Sequence, residues 1–387
     1  MRKPWLRICL VLLAVLSMIA AGCADDEDGG GGGGGGGEGP IWVLLPDTAT
    51  SDRWAKDDPR FFSAAFEAEG LVEGEDFTIV NAEGDVQTQQ GQVEQAIADD
   101  ASVIVLTSLD PGSGATFIET AEDAGVAVVE YDRFNTEGPG GAAYVSFDNV
   151  QVGQTMAEVL EPEIDALSVA KPQVVMLNGG EEDNNSFLFR AGYAETVEAR
   201  AEAGDWEIVA DQHVPGWDNA EAQTLMEQIL VDANNNVDAV FAANDGLANS
   251  SINAIEAAGI GPVPVSGQDA TSEGMQNILL GRQAMSVYKP IEAEADVAAA
   301  VALALRAGED PSGITSEADF SIIGIEAATG EPADAPEGEG VVPYFALVPI
   351  GVTADNMADT VIADGFRTWD EICTGEVAKT DVCKANA

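Results

Sequence analysis

Asp132 and Arg133 are neighbours at the end of an apolar run, AGVAVVEYDRFN over residues 124–135, with Tyr131 and Phe134 on either side. A carboxylate accepts from several donors and a guanidinium donates several hydrogen bonds in one plane, so the pair offers both halves of a hydrogen-bonding code. The bland alternative is a surface ion pair, which contributes little. Position argues against it. VAVVEY reads as a buried strand, and further polar clusters in VVMLNGG, VFAAND and VSGQD also sit just past the carboxyl ends of apolar strands. In open α/β sheets, ligands bind at that edge.

The elements that deliver these residues follow a regular order. From Ile41, short apolar strands without in/out alternation alternate with helix-length amphipathic segments, the pattern of sheets covered on both faces. Strands are expected near 41, 76, 102, 126 and 142, and in a second series near 173, 206, 238, 263 and 284. Helices are expected over 86–99, 111–124 and 149–168. The class is α/β, and the length exceeds what one doubly wound core usually holds. Two doubly wound parallel-sheet lobes facing each other across a cleft are the economical arrangement, and such interfaces favour small-molecule sites.

The N-terminus reads as an export signal. Arg2, Lys3 and Arg7 precede an apolar run from Ile8 to Ile19, and AAGC then ends at Cys23. The run is shorter than the roughly 20 residues that span a bilayer, and the pattern resembles a bacterial lipobox with Ala20 where Leu is commoner. Residues 1–22 are thus expected to be a lipoprotein signal peptide and Cys23 the lipidated residue. Residues 23–40, with nine consecutive glycines, are expected to form a tether that holds the globular part off the outer face of the cell membrane, a periplasmic location being the alternative. Cys373 and Cys383 remain as a pair, expected to form a disulfide in an exported protein.

The chain carries 16 basic and 68 acidic residues, a net charge of −52. That balance excludes nucleic acid as a natural partner, since phosphate binding needs a basic face. It also suggests adaptation to a saline habitat, where screening relieves self-repulsion.

LLPDTATSDRW, YDRF, YVSFDN, DNNSFLFRAG, FAANDGLANSSINAI, SGQDAT and SVYKPI, in this order across Ile41 to Phe366, resemble the periplasmic sugar-binding proteins of ABC transporters, in particular the D-xylose-binding group. The resemblance implies a type I periplasmic-binding-protein fold of two lobes joined by three hinge crossings, closing over one monosaccharide. It implies an N-terminal lobe of 41–147 plus 290–346 and a C-terminal lobe of 148–289 plus 347–387. Matched residue by residue, Arg53 donates and Trp54 stacks, with a core role for Trp54 as the alternative. Asp132 and Arg133 grip hydroxyls, and Asn185, Asn244, Asp269 and Lys289 contribute from the second lobe, Asp245 being left to cap the next helix. Asp148, Asn149 and Pro290 are implied hinge or capping residues, and GIEAATGEPADAPEGEGVVP reads as an exposed loop before the last crossing, near Val348. The implied partners are a monosaccharide and a membrane ABC permease, with membrane contact only through the lipid, for a protein acting as a monomer.

Other classes fare worse. There is no Gly-x-Ser-x-Gly elbow and no phosphate-binding Gly-Lys-Ser/Thr loop, and the single His213 reads as a loop or cleft-edge residue. A glycosidase built on two carboxylates is the enzymatic alternative, and a receptor that signals instead of delivering solute shares the same site and motion. DANNNVD at 232 echoes a calcium loop, but Val237 and Ala243 stand where that loop needs Gly and Glu, so no metal and no cofactor is expected.

Overall fold

A computed structural model describes residues 39–386 apart from 49, 52, 317, 327–331 and 334–340. The leader, Cys23 and all but the last two residues of the tether lie outside that range.

The first sheet starts with five parallel strands, β1 (Ile41–Leu45), β2 (Phe77–Asn81), β3 (Val103–Leu106), β4 (Ala127–Tyr131) and β5 (Ala143–Phe147). Helices α1 (Arg53–Lys56) and α2 (Asp58–Ala68) follow β1, and α3 (Val86–Ala98) and α4 (Pro111–Asp123) follow β2 and β3. Alternate residues of β1 face opposite layers. Ile41, Val43 and Leu45 join a core with Phe62 and Phe66 of α2, whereas Trp42 and Leu44 pack with Val93 of α3 and Phe117 and Ile118 of α4. Coverage on both faces explains why β1 is buried at every position.

At Asp148 the chain crosses to the second lobe. There α5 (Asn149–Ala166), β6 (Gln173–Asn178), α6 (Asn184–Glu202), β7 (Glu207–His213), α7 (Asn219–Asp232), β8 (Ala239–Ala242) and α8 (Asp245–Ala257) alternate, and β6 lies between β7 and β8 in a parallel sheet. The strand expected at 263 is reduced to bridges, Val265 to Val240 and Gln268 to Val287. After α9 (Ser272–Leu279) comes β9 (Ser286–Tyr288), and at Lys289–Pro290 the chain returns to lay α10 (Ile291–Arg306) on the first core.

The first sheet is then completed by β10 (Phe320–Glu326), β11 (Pro332–Ala333) and β12 (Val341–Leu347), giving the order β11-β10-β12-β5-β4-β3-β1-β2. This corrects the reading of the segment from Gly324 to Pro343 as a plain loop. Gly324 pairs with Pro343, Ile325 with Val342 and Glu326 with Val341 in an antiparallel ladder. A third crossing at 348–349 leads to β13 (Ile350–Val352), antiparallel to β9. The tail, with α11 (Trp369–Ile372) and α12 (Asp381–Asn386), is closed by a Cys373–Cys383 disulfide.

Acid side chains serve as helix caps throughout. Asp85, Asp110, Asp148, Asp183 and Asp218 each accept from backbone N–H groups at the starts of α3 to α7. A negative charge there also complements the helix dipole. DANNNVD is the turn from α7 into β8, with Asn234 and Asn235 at positive φ and Val237 buried.

Candidate functional site

The carboxyl ends of β1 and β4 from one lobe meet the starts of α6 and α8 and the β9 end from the other. All eight residues singled out from the sequence line one pocket there, which encloses about 330 Å³ of non-atom space, some of it open to solvent.

Asp132 is the centre of the arrangement. It is the first residue after β4 and takes the left-handed backbone conformation, φ 62°, which a non-glycine residue adopts at a cost. Its carbonyl accepts from Tyr144 Oη, Ser146 Oγ and Asn185 Nδ2, each at 2.9 Å, and these bonds hold the turn. Its Oδ2 accepts from Arg53 Nη1 at 2.7 Å and from Lys289 Nζ at 3.2 Å. Burial alone would raise this carboxyl, but Lys289, Arg53 and Arg133 beside it bring it down to about 2. The group is therefore an ionised acceptor at any physiological pH.

Arg53 opens α1 and is fixed from behind. Its Nε and Nη2 form a bidentate pair with Asp58, at 2.9 and 2.7 Å, and Nη2 also reaches Glu294 Oε2 at 2.6 Å. Its guanidinium carbon lies 4.3 Å from the centroid of the Trp54 ring. Trp54 both joins the first core and lines the pocket. Arg133 reaches across the cleft to Asp183, with Nε 3.2 Å from Oδ2, and donates to Thr50 Oγ1. Burial pushes the Asp183 carboxyl up against the pull of Arg133. Lys289 lies between the rings of Phe147 and Phe189, at 5.7 and 5.8 Å.

Asn185 and Asn149 are linked, Asn149 Nδ2 donating to Asn185 Oδ1 at 2.8 Å, next to the first crossing. Asp148 caps α5, whereas Asn149 is the first residue of that helix. Pro290 precedes α10. Asp269 sits at φ 93° and accepts from Ser51 Oγ of the opposite lobe at 3.2 Å. One assignment is corrected. Asn244, not Asp245, caps α8, because its Oδ1 accepts from Leu247 N at 2.9 Å. Asp245 lies beneath, accepting from Thr271 N and Gln283 Nε2, and burial raises it to about 7 against those bonds.

The pocket also takes Asp183, Phe189, Trp217 and Gln268, none of which the sequence reading selected. The indole N–H groups of Trp54 and Trp217 and Gln268 Oε1 are buried without partners among the described residues. Trp217 follows β7 in PGW at φ 53° and lies so close to Gly179 that a Cβ there would come within 2.1 Å of the ring. Two signals existed in the sequence, an aromatic in a Pro-Gly turn after a strand, and Gln268 beside Asp269 past an apolar run. His213, at the end of β7, hydrogen-bonds to Gly179 O and Ser186 Oγ and is not among the pocket's lining residues.

Residues 43–310 match the model of the periplasmic binding protein domain. The chain is 34% identical over 329 residues to the D-xylose-binding periplasmic protein of Escherichia coli, covering 84% of this chain and 90% of the relative. It is 28% identical over 345 residues to the multiple sugar-binding periplasmic protein SbpA of Azospirillum brasilense, covering 85% and 89%. A carbohydrate transporter solute-binding protein from Chloroflexus aurantiacus, solved with D-glucose, superposes with a TM-score of 0.72 at 25% identity over 86% of this chain and 97% of that one. The matched span, the 34% identity and the two-lobed sheet order place the chain in the periplasmic binding protein family, with its type I fold, whose members are solute receptors and not enzymes.

Proposed function

We propose that this protein captures an aldose, D-xylose or a close relative, between its lobes and delivers it to an ABC permease. The observation that carries the reading is the charge and donor pattern of the pocket. Arg53, Arg133 and Lys289 line it with Asp132, Asp183 and Asp269, three cations against three acids, which suits an uncharged ligand rich in groups that both donate and accept. Trp54, Phe189 and Trp217 add apolar faces suited to the C–H surface of a pyranose. The names of the two curated relatives support the same class of ligand.

The mechanism is ligand-stabilised closure. Residues of both lobes converge on Asp132, so hydroxyl groups placed there are satisfied together only in the shut cleft, and the ligand shifts the population toward it. The three crossings serve as hinges, with Asp148, Asn149 and Pro290 at the first two, between lobes of 41–147 plus 290–346 and 148–289 plus 347–387. Cys23 carries the lipid and residues 23–40 the tether, so that a monomeric receptor works at the outer membrane face. A thermal-shift screen over xylose, glucose, galactose, arabinose and ribose tests the reading. Stabilisation by xylose above the others is expected, and no stabilisation by any aldose would overturn it.

A further inference from the structure

Behind the pocket, the charges do not balance. Arg53 and Lys289 face three buried carboxyl groups, Asp58 at the start of α2, Asp132 after β4 and Glu294 in α10. The remaining cation, Arg133, is engaged with Asp183. Glu294 is the carboxyl in excess. It is fully buried, its Oε2 receives Arg53 Nη2 at 2.6 Å, and its Oε1 is buried with no hydrogen-bond partner among the described residues. Besides Arg53, the charged groups that act on it are Asp132 and Asp58, which oppose its ionisation, and Lys289, which favours it; the phenols of Tyr131, Tyr144 and Tyr344 are engaged with Asp58, the Asp132 carbonyl and the Phe147 carbonyl. An ionised carboxylate there would leave three buried acids, Asp58, Asp132 and Glu294, against the two cations Arg53 and Lys289, which is expensive.

We propose that Glu294 is a positioning residue that works as a neutral acid, holding the Arg53 guanidinium against Asp132 so that sugar capture is tighter when Glu294 carries a proton. In the neutral form, Glu294 and Asp58 clamp Arg53 from behind while Nη1 meets Asp132 Oδ2 at 2.7 Å. When Glu294 ionises, its proton goes to solvent and the new charge opposes both Asp132 and the exclusion of water that closure brings. Burial raises this carboxyl to about 8 despite the pull of Arg53, so the change falls just above neutrality. Closed, ligand-bound protein thus retains the proton better than the open form, and linkage makes affinity fall as pH rises.

The inference rests on the reading of the pocket as an aldose site, and the test separates the two. D-xylose affinity is measured by calorimetry from about pH 6 to 9 on wild type and on Glu294→Gln, whose amide imitates the neutral acid. Wild-type affinity should drop about three- to tenfold across that range, a shift of up to one pKa unit between open and closed forms. The ratio of the wild-type and Glu294→Gln dissociation constants should change by the same factor. Parallel profiles, or a flat wild-type profile, would overturn the proposal while leaving the aldose site standing. In the ligand-free protein, the melting temperature of wild type should fall more steeply over that pH range than that of Glu294→Gln. This arm decides the neutral-acid role even where xylose does not bind, since superimposable melting profiles would overturn it.

Discussion

At the scale of single residues, the site depends on one carboxylate that is unusual twice over, in its backbone conformation and in its electrostatic surroundings. Asp132 is held at φ 62° by bonds to its carbonyl and kept ionised by three cations. Aromatic faces are the second feature of the pocket lining. Replacing Trp217 with Ala should weaken sugar binding about 10-fold or more, given roughly 0.5–1.5 kcal/mol for an aromatic contact beyond its buried area. Titration calorimetry of the variant checks this, and unchanged affinity would remove Trp217 from the ligand surface. At this scale the sequence revealed the strand-end residues Asp132, Arg133, Asn244 and Asp269, because apolar strands announce where they stop. It did not reveal Asp58 or Glu294, because acids inside helices look like solvated surface in a chain so rich in them. The α8 cap fell to Asn244 instead of Asp245 for a related reason, since either side chain is a good cap and only backbone geometry decides which.

At the scale of elements, the second lobe is ordered by the close contact of α5 with α6. Gly153 and Gly192 face each other there, and a Cβ at Gly153 would lie 2.0 Å from Phe189 O, one at Gly192 2.1 Å from Val150 O. The contact is backbone against backbone, so no side chain can yield. Gly153→Ala should destabilise the protein by about 1–3 kcal/mol through overpacking. It should also move Phe189 and Asn185, which α6 carries into the pocket. Denaturant unfolding with a parallel binding assay measures both effects, and a variant as stable as wild type would show that the helices separate freely. The periodic elements were legible because burial on both faces leaves strands continuously apolar. The β10–β12 ladder was not, because its connecting stretch is dominated by Gly, Pro and acids, a composition that signals a loop whatever the flanking strands do.

At the scale of the whole molecule, acidity governs stability. Burial holds Glu130 and Asp245 up at about 7 and Glu294 at about 8, against hydrogen bonds from Asn135 and Gly141, from Thr271 and Gln283, and from Arg53. The folded chain therefore keeps protons that the unfolded chain releases near pH 4, and this stabilisation fades as pH rises toward 8. Asp132, depressed to about 2, contributes in the opposite sense, its share being lost as pH falls below about 4. Repulsion within a net charge of −52 adds to the loss at high pH and is relieved by salt. The melting temperature is expected to be higher near pH 5 than near pH 8, and higher in molar salt than in dilute buffer. A rise from pH 5 to 8, or no response to salt, would contradict this account of the acids. The most direct test of the central claim is a calorimetric titration of D-xylose into wild type and Asp132→Ala. The account predicts binding to wild type and a loss of about 2–5 kcal/mol in the variant, as buried donors lose their acceptor. Equal affinity in the two proteins would contradict it.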